Sequence, residues 1–378
     1  MREYLYIKDF GPIKEVELND IRPFTILIGE SGSGKSTIMK VLSLFRWIYK
    51  RVNLRSYLKH AQIKKTRIGF KIQSLMKTSG VSDFLRSESI IIYRRGNYEI
   101  KMANKQVRIA TDVAPENLCL DKICFISDKR SMIPNFLEHR MEGRIANYYL
   151  QDTVDNFLLA SEIIKSFKME YLGVQFKIEK TKNSMIKYKI VGDVDDDFSI
   201  EFKNASSGIQ TVTPLALITE YFATYFDAKE SMTKSLFSYM MDAENLKNFS
   251  TAREIGDIQN RNVHIFIEEP ELSLYPESQK SLIDFLVDRC FTKPHGYNMT
   301  LMLATHSPYI LNYVNLLVER YEKGRNTPFK ISFDDVNAYE LADGYAYDLK
   351  IVGQHKLVNT VSLSEPINEI YAEYNKEV

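Results

Sequence analysis

The sequence predicts an α/β fold, with a mixed sheet around a central helix, N-terminal antiparallel strands and an inserted helical lobe. Three observations lead there. A short apolar run, Phe24 to Ile28, empties into a glycine-rich loop followed by a helical pattern. Two apolar runs, NVHIFIEE (262–269) and NMTLMLATH (298–306), flank a segment of helical period at 277–290. Such a β-α-β unit calls for parallel strands. Residues 3–8 and 13–18 alternate apolar with polar side chains about Gly11-Pro12, the pattern of a hairpin with one buried face.

The remaining elements follow in order. The segment STIMKVLSLFRWIYK carries apolar residues at Ile38, Val41, Leu42, Leu44, Phe45 and Ile48, a helical stripe. Residues 90–110 read as antiparallel strands around Gly96-Asn97, and KICFIS (122–127) as a buried strand. A helical region spans about 135–170. Strand-like alternation at 173–203 is broken by Asp193 and Asp195-Asp196-Asp197. A second helical region runs from about 212 to 250. Three lobes result: 1–130, 131–262 and 263–378, read as insertions in one head.

Composition narrows the class. The chain has 378 residues, of which 44% are hydrophobic and 26% charged, so a large core is available and global disorder is excluded. Fifty Lys and Arg against 49 Asp and Glu leave a formal charge of +1, so bulk charge selects no nucleic-acid partner. Three cysteines (Cys119, Cys124, Cys290) with no zinc spacing fit a reducing compartment. The charged start MREYLYIKDF gives no leader pattern, and no apolar run approaches the ~20 residues of a membrane helix. The expectation is a cytoplasmic protein without a membrane partner.

Gly29-Glu30-Ser31-Gly32-Ser33-Gly34-Lys35-Ser36 fits G-x-x-x-x-G-K-[ST] between a strand and a helix. Glycines let the backbone curl so that successive N–H groups aim at phosphate oxygens. The helix N-terminus, with Thr37 in its first turn, adds partial positive charge. Lys35 is expected to reach the β- and γ-phosphates, and the Ser36 hydroxyl to ligate Mg²⁺. Gly29, Ser31, Gly32, Ser33 and Gly34 complete the cradle. A glycine-rich turn with a chance lysine is the bland alternative, and the flanking elements argue against it.

The run Val263–Ile267 ends in Glu268-Glu269-Pro270-Glu271. A strand emptying into acids beside a phosphate loop supplies one carboxylate for the metal side and a second for the attacking water. Neighbouring strand residues face opposite ways, so the two acids suit different roles. Alone, EEPE reads as a solvated acidic turn. His306, at the end of the next apolar run, is placed to contact a γ-phosphate; alone it reads as a satisfied strand-end histidine. Asn204-Ala205-Ser206-Ser207-Gly208-Ile209-Gln210 precedes a helix, which is an ordinary N-cap or a second anion-binding end.

Together, GESGSGKS, ASSGIQ, IFIEEPELSLYP and LATHSPYIL resemble, in content and order, the P-loop ABC-type ATPase heads of the SMC, recombination-repair and overcoming-lysogenisation class. AAA-annotated ATPases of bacterial anti-phage defence are among the look-alikes. YIKDFGPIKEVEL and DGYAYDLKI also look like blocks of that class. The resemblance implies ATP and Mg²⁺ as cofactors and a homodimer or higher homo-oligomer that sandwiches ATP. It implies phosphate binding by Lys35 and Ser36 and a metal-side role for Glu268. It further implies a general base in Glu269 and a switch in His306. Ser206, Ser207 and Gly208 would touch the γ-phosphate in trans. Asp128-Lys129-Arg130 falls where the class often carries a coupled loop before its helical lobe.

Some positions depart from the class. Ser31 replaces an asparagine, Glu30 brings a negative charge, Tyr275 stands at an aspartate position, and no Q-loop glutamine is identifiable. Only 72 residues follow His306, and no acid cluster fits a metal nuclease. The Asp193/195/196/197 group reads as a solvated hairpin tip. The effector of a defence module would then be a separate nuclease or toxin. From Ser31 to Ser82 there is no acid, against twelve Lys or Arg at 35, 40, 46, 50, 51, 55, 59, 64, 65, 67, 71 and 77. That stretch reads as a DNA-contacting surface, a solvated face or a docking patch. The competing functions are a DNA-repair or chromosome-clamp ATPase and a nucleotide-held scaffold with little turnover.

Overall fold

The computed structural model describes residues 2–60, 72–109, 112–139, 147–180, 186–192, 198–231, 233–234, 258, 260–292, 296–351 and 356–377. The N-terminal half begins with the hairpin β1 (Glu3–Phe10) and β2 (Ile13–Leu18), then β3 (Phe24–Gly29) and α1 (Lys35–His60). There follow α2 (Ile72–Thr78), β4 (Leu85–Arg95), β5 (Tyr98–Ala103), β6 (Gln106–Ile109) and β7 (Cys119–Ile126). The middle segment holds α3 (Ile133–His139), α4 (Tyr148–Ile163) and strands β8 (Ser166–Met169), β9 (Val174–Lys180), β10 (Ile186–Gly192) and β11 (Ser199–Glu201). After α5 (Ser207–Thr224) come β12 (Asn260–Glu268), α6 (Pro276–Val287), β13 (Asn298–Thr305) and α7 (Pro308–Glu322). Strands β14 (Val336–Ala342) and β15 (Tyr345–Asp348) and helix α8 (Val361–Glu377) lie towards the C-terminus.

Eleven strands make one mixed sheet in the order β6-β5-β4-β1-β2-β15-β14-β3-β13-β12-β7. Strands β14, β3, β13, β12 and β7 are mutually parallel, while β4, β1 and β2 pair antiparallel. This is the mixed α/β architecture expected from the sequence. Alternation along buried strands splits the core in two. Ile265 and Ile267 of β12 join the cluster under α4, α5, α6 and α7. Phe266 points the other way, into the cluster around α1. Helix α1 is buried along most of its 26 residues, which makes it the central helix that the sheet curls around.

The chain departs from the expected elements in the middle lobe. The helical region at 135–170 is two helices and a strand. Asn147 caps α4 by accepting from the Tyr149 and Leu150 N–H groups at 3.1 Å each. Residues 166–169 pair with β9, with Phe167 opposite Phe176, so non-local pairing overrides local propensity. Strands β8 to β11 form their own four-stranded sheet. Helix α5 begins at Ser207, and residues 235–250 of the second predicted helical region lie outside the described residues. So does the Asp193/195/196/197 group. Among the described residues no helix is long and apolar enough to cross a membrane. The three cysteines are free and buried.

Much of the basic stretch is turned inward. Arg46, 1% exposed, makes a double hydrogen bond to Glu3 at 2.9 and 2.5 Å. Burial alone would raise the Glu3 carboxyl, but Arg46 and Arg95 together outweigh it and the pKa falls to about 2. Breaking such a pair costs about 3–5 kcal/mol because one charge is left buried. Arg55 and Lys59 both meet Asp112, and Lys40 reaches Glu268 at 3.8 Å. Burial beside Lys122 pushes Lys50 down to about 8. Lys77 is exposed, and Lys64, Lys65, Arg67 and Lys71 lie outside the described residues. Of these charges Arg46 is buried in an ion pair, Lys40, Lys50 and Arg55 are partly buried, and Lys59 remains exposed beside Asp112.

Candidate functional site

Strand register brings the motifs together. Ile28 of β3 lies beside Thr305 of β13, Ala304 beside Glu268 of β12, and Ile267 beside Ile126 of β7. The residues that follow these strands therefore emerge at one edge of the sheet: the glycine-rich loop, His306, Glu269 and the 127–130 turn. Ligands of parallel α/β sheets bind at such carboxyl ends.

Gly29 has φ +150°, and a Cβ there would lie 2.4 Å from the Leu341 carbonyl oxygen. Only glycine fits that approach. Gly34, at φ +106°, passes close to Ile13 of the hairpin. Glu30, Ser31 and Gly32 are exposed at the loop's crest, and Thr37 is buried in the first turn of α1. The Glu30 carboxylate thus stands in solvent. The Ser33 hydroxyl oxygen is buried and has no hydrogen-bond partner among the described residues, a vacancy that an anion cradle would use.

Lys35 is 5% exposed and folds back over the loop. Its Nζ donates to the Gly29 and Glu30 carbonyls at 2.7 and 2.8 Å and lies 3.5 Å from His306 Nδ1. Burial lowers its pKa, while Glu269 and Glu271 pull the other way. The Glu268 carboxylate has its pKa raised by burial and held back by Lys40 and by the nearby Ser36 hydroxyl. Ser36 and Glu268 are hard oxygen donors. Two protein donors with phosphate and water completing the shell suit Mg²⁺. Among the described residues no cluster of three or more His, Cys, Asp or Glu forms an all-protein metal site.

Glu269 follows β12 with φ +45°. Its N–H donates to the Ala304 carbonyl at 2.8 Å. Its carboxylate is 3.6 Å from His306 Nε2, and both side chains are about one-third exposed. It therefore faces the opening, while Glu268 turns inward at 4% exposure. The His306 N–H donates to Glu271 Oε1 at 2.6 Å. Ser307 donates to Gln279 Oε1 at 2.6 Å, so its hydroxyl is occupied.

The serine-glycine turn is elsewhere on the same edge. Ser206 caps α5 with its backbone, and neither its side chain nor that of Ser207 is buried. A Cβ on Gly208 would lie 2.9 Å from the Ser273 carbonyl oxygen, so glycine is needed for the turn to approach the acidic loop. Among the described residues no hydrogen bond or ion pair joins 206–208 to the phosphate loop. Tyr275, just before α6, is 79% exposed.

Two contributors were not assigned from sequence. Glu271 was one acid of a run and gave no sign that it anchors the His306 main chain. Arg130 lay in a noted turn, but its carbonyl partners are more than 80 and more than 130 residues away, which no local pattern reveals.

Comparison with known proteins gives a family match to the AAA ATPase domain over residues 122–311. That span holds Arg130, Ser206–Gly208, Glu268, Glu269 and His306, and begins beyond the glycine-rich loop. Among solved structures, the chain is similar to the SMC head domain from Thermotoga maritima. The two are 11% identical with a TM-score of 0.36, over 93% of this chain and 100% of the other. It is also similar to the recombination mediator protein RecF at 10% identity and a TM-score of 0.35, over 92% and 98% of the two chains. No curated protein matches. Since the family match takes in half of its length, the chain belongs to the AAA ATPase domain family.

Proposed function

We propose that this chain binds and hydrolyses ATP in the manner of an ABC-type head. The observation that carries the reading is the convergence of Lys35, Ser36, Glu268, Glu269 and His306 at the ends of three adjacent parallel strands. In this reading Gly29 to Thr37 cradle the phosphates, with Lys35 as their main charged partner. Ser36 and Glu268 would hold Mg²⁺, which when bound supplies charge stabilisation for the phosphates. Glu269 takes a proton from a water molecule as its oxygen attacks the γ-phosphorus, and the bond from that phosphorus to the β–γ bridging oxygen breaks. The products are ADP and phosphate. His306, beside both Lys35 and Glu269, senses the γ-phosphate.

The exposed Ser206–Gly208 turn completes the reading. Its helix N-terminus and exposed hydroxyls suit an anion, and among the described residues no hydrogen bond or ion pair ties it to its own phosphate loop. We assign it to the γ-phosphate of a second copy, giving an ATP-held dimer or larger assembly. As a biological role we propose the sensor or gate of a bacterial anti-phage system with a separate nuclease or toxin. A DNA clamp is the alternative role, and DNA-stimulated turnover would favour it. Light scattering on Glu269→Gln tests assembly. The mass is expected to double or more with Mg·ATP and to stay unchanged with Mg·ADP; equal mass in both would overturn the sandwich.

A further inference from the structure

Arg130 is fully buried, with no exposed surface. Each of its hydrogen bonds among the described residues goes to a main-chain carbonyl. Nη1 donates to Ser127 at 3.1 Å and to Glu268 at 2.7 Å, Nη2 to Glu269 at 2.6 Å, and Nε to Thr211 at 3.0 Å. Those acceptors belong to the turn after β7, the acidic end of β12 and the first turn of α5. Only a planar fork with five N–H donors can serve such divergent acceptors at once.

Glu269 is thereby held on both sides. Its carbonyl is fixed by Arg130, and its N–H by Ala304. That clamp maintains a positive φ that a glutamate rarely adopts. A second link runs from the Thr211 hydroxyl to the Leu272 carbonyl at 2.9 Å, and Gly208 packs against Ser273. The acidic loop and the serine-glycine turn are therefore joined by the Arg130 and Thr211 side chains, which donate to backbone carbonyls. Burying a guanidinium is costly when no carboxylate is hydrogen-bonded to it, and an apolar side chain could fill the volume without that cost.

We infer that Arg130 is a positioning residue: it aims the Glu269 carboxylate and ties it to the Ser206–Gly208 turn. What one chain's turn binds is then felt at its own Glu269. This inference rests on the ATPase reading.

The test uses the full-length chain as Arg130→Lys, Arg130→Met and Thr211→Val, each also combined with Glu269→Gln. Thermal unfolding checks the fold, binding of a fluorescent ATP analogue reports affinity, and steady-state kinetics separate kcat from KM. The expected result is a kcat about 10- to 100-fold lower for the Arg130 variants, with KM and affinity little changed, the size expected of a misplaced reacting group. Thr211→Val should lose about 3- to 10-fold in the same direction, since it removes only one link. The Arg130 and Thr211 substitutions should add little to the loss that Glu269→Gln causes alone, whereas a purely structural role would make the losses add. Wild-type kcat in the folded Arg130 variants, alongside an inactive Glu269→Gln, overturns the inference while leaving the ATPase reading intact. If Arg130 variants do not fold, wild-type kcat in Thr211→Val overturns it equally. Full turnover in Glu269→Gln instead points to failure of the ATPase reading itself.

Discussion

Glu269→Gln is expected to lower ATP turnover by about 10²- to 10⁴-fold, the range for losing a positioned general base, while ATP affinity remains near wild type. Geometry separates the two effects. Glu269 is half-buried and faces the opening beside His306. Glu268 is buried behind it against Ser36 and Lys40. The amide cannot take a proton from water, yet it keeps the size and hydrogen-bonding reach of the carboxylate. The backbone that aims the side chain is held by Ala304 and Arg130 and does not depend on the carboxylate. Phosphate release and equilibrium binding, measured on the same preparation, check both halves. Turnover within about threefold of wild type would remove Glu269 from the base position.

Lys35→Met should weaken ATP binding by about 10²- to 10⁴-fold, the equivalent of two hydrogen bonds to a charged group. Nζ now rests on the carbonyls of Gly29 and Glu30, directly over the loop that would hold the phosphates. Its charge is partly withdrawn from water, as the burial-lowered pKa indicates. A polyanion entering the cradle therefore meets a cation that is already desolvated and pre-placed, and the interaction is strong for that reason. Methionine retains the stem that packs beneath the loop, so the loss reports charge and not packing. Isothermal titration with Mg·ATP measures it. Affinity unchanged within a factor of about three would place the nucleotide elsewhere.

The parts of the site that are local in sequence were legible there. The glycine-rich loop needs its residues contiguous, and apolar runs ending in acids or histidine identified β12 and β13. Period-2 and helical patterns placed the N-terminal strands and α1, because each buries a continuous face. What escaped depends on distant partners. The charge run along α1 gave no hint that Arg46 turns inward, since Glu3 lies 43 residues away. Residues 166–169 have helical neighbours, and only pairing with β9 makes them a strand. Arg130 looked like one charge in a polar turn. Its partners lie on α5, after β7 and at the end of β12, three segments that no local pattern connects.

The most direct measurement is single-turnover phosphate release from Mg·ATP bound to the wild-type chain, with Lys35→Met as the control. Wild type is expected to convert bound ATP to ADP and phosphate, and the variant to convert none. Recovery of intact ATP from wild-type chain that has held it for hours would contradict a hydrolytic centre and leave a nucleotide-held scaffold.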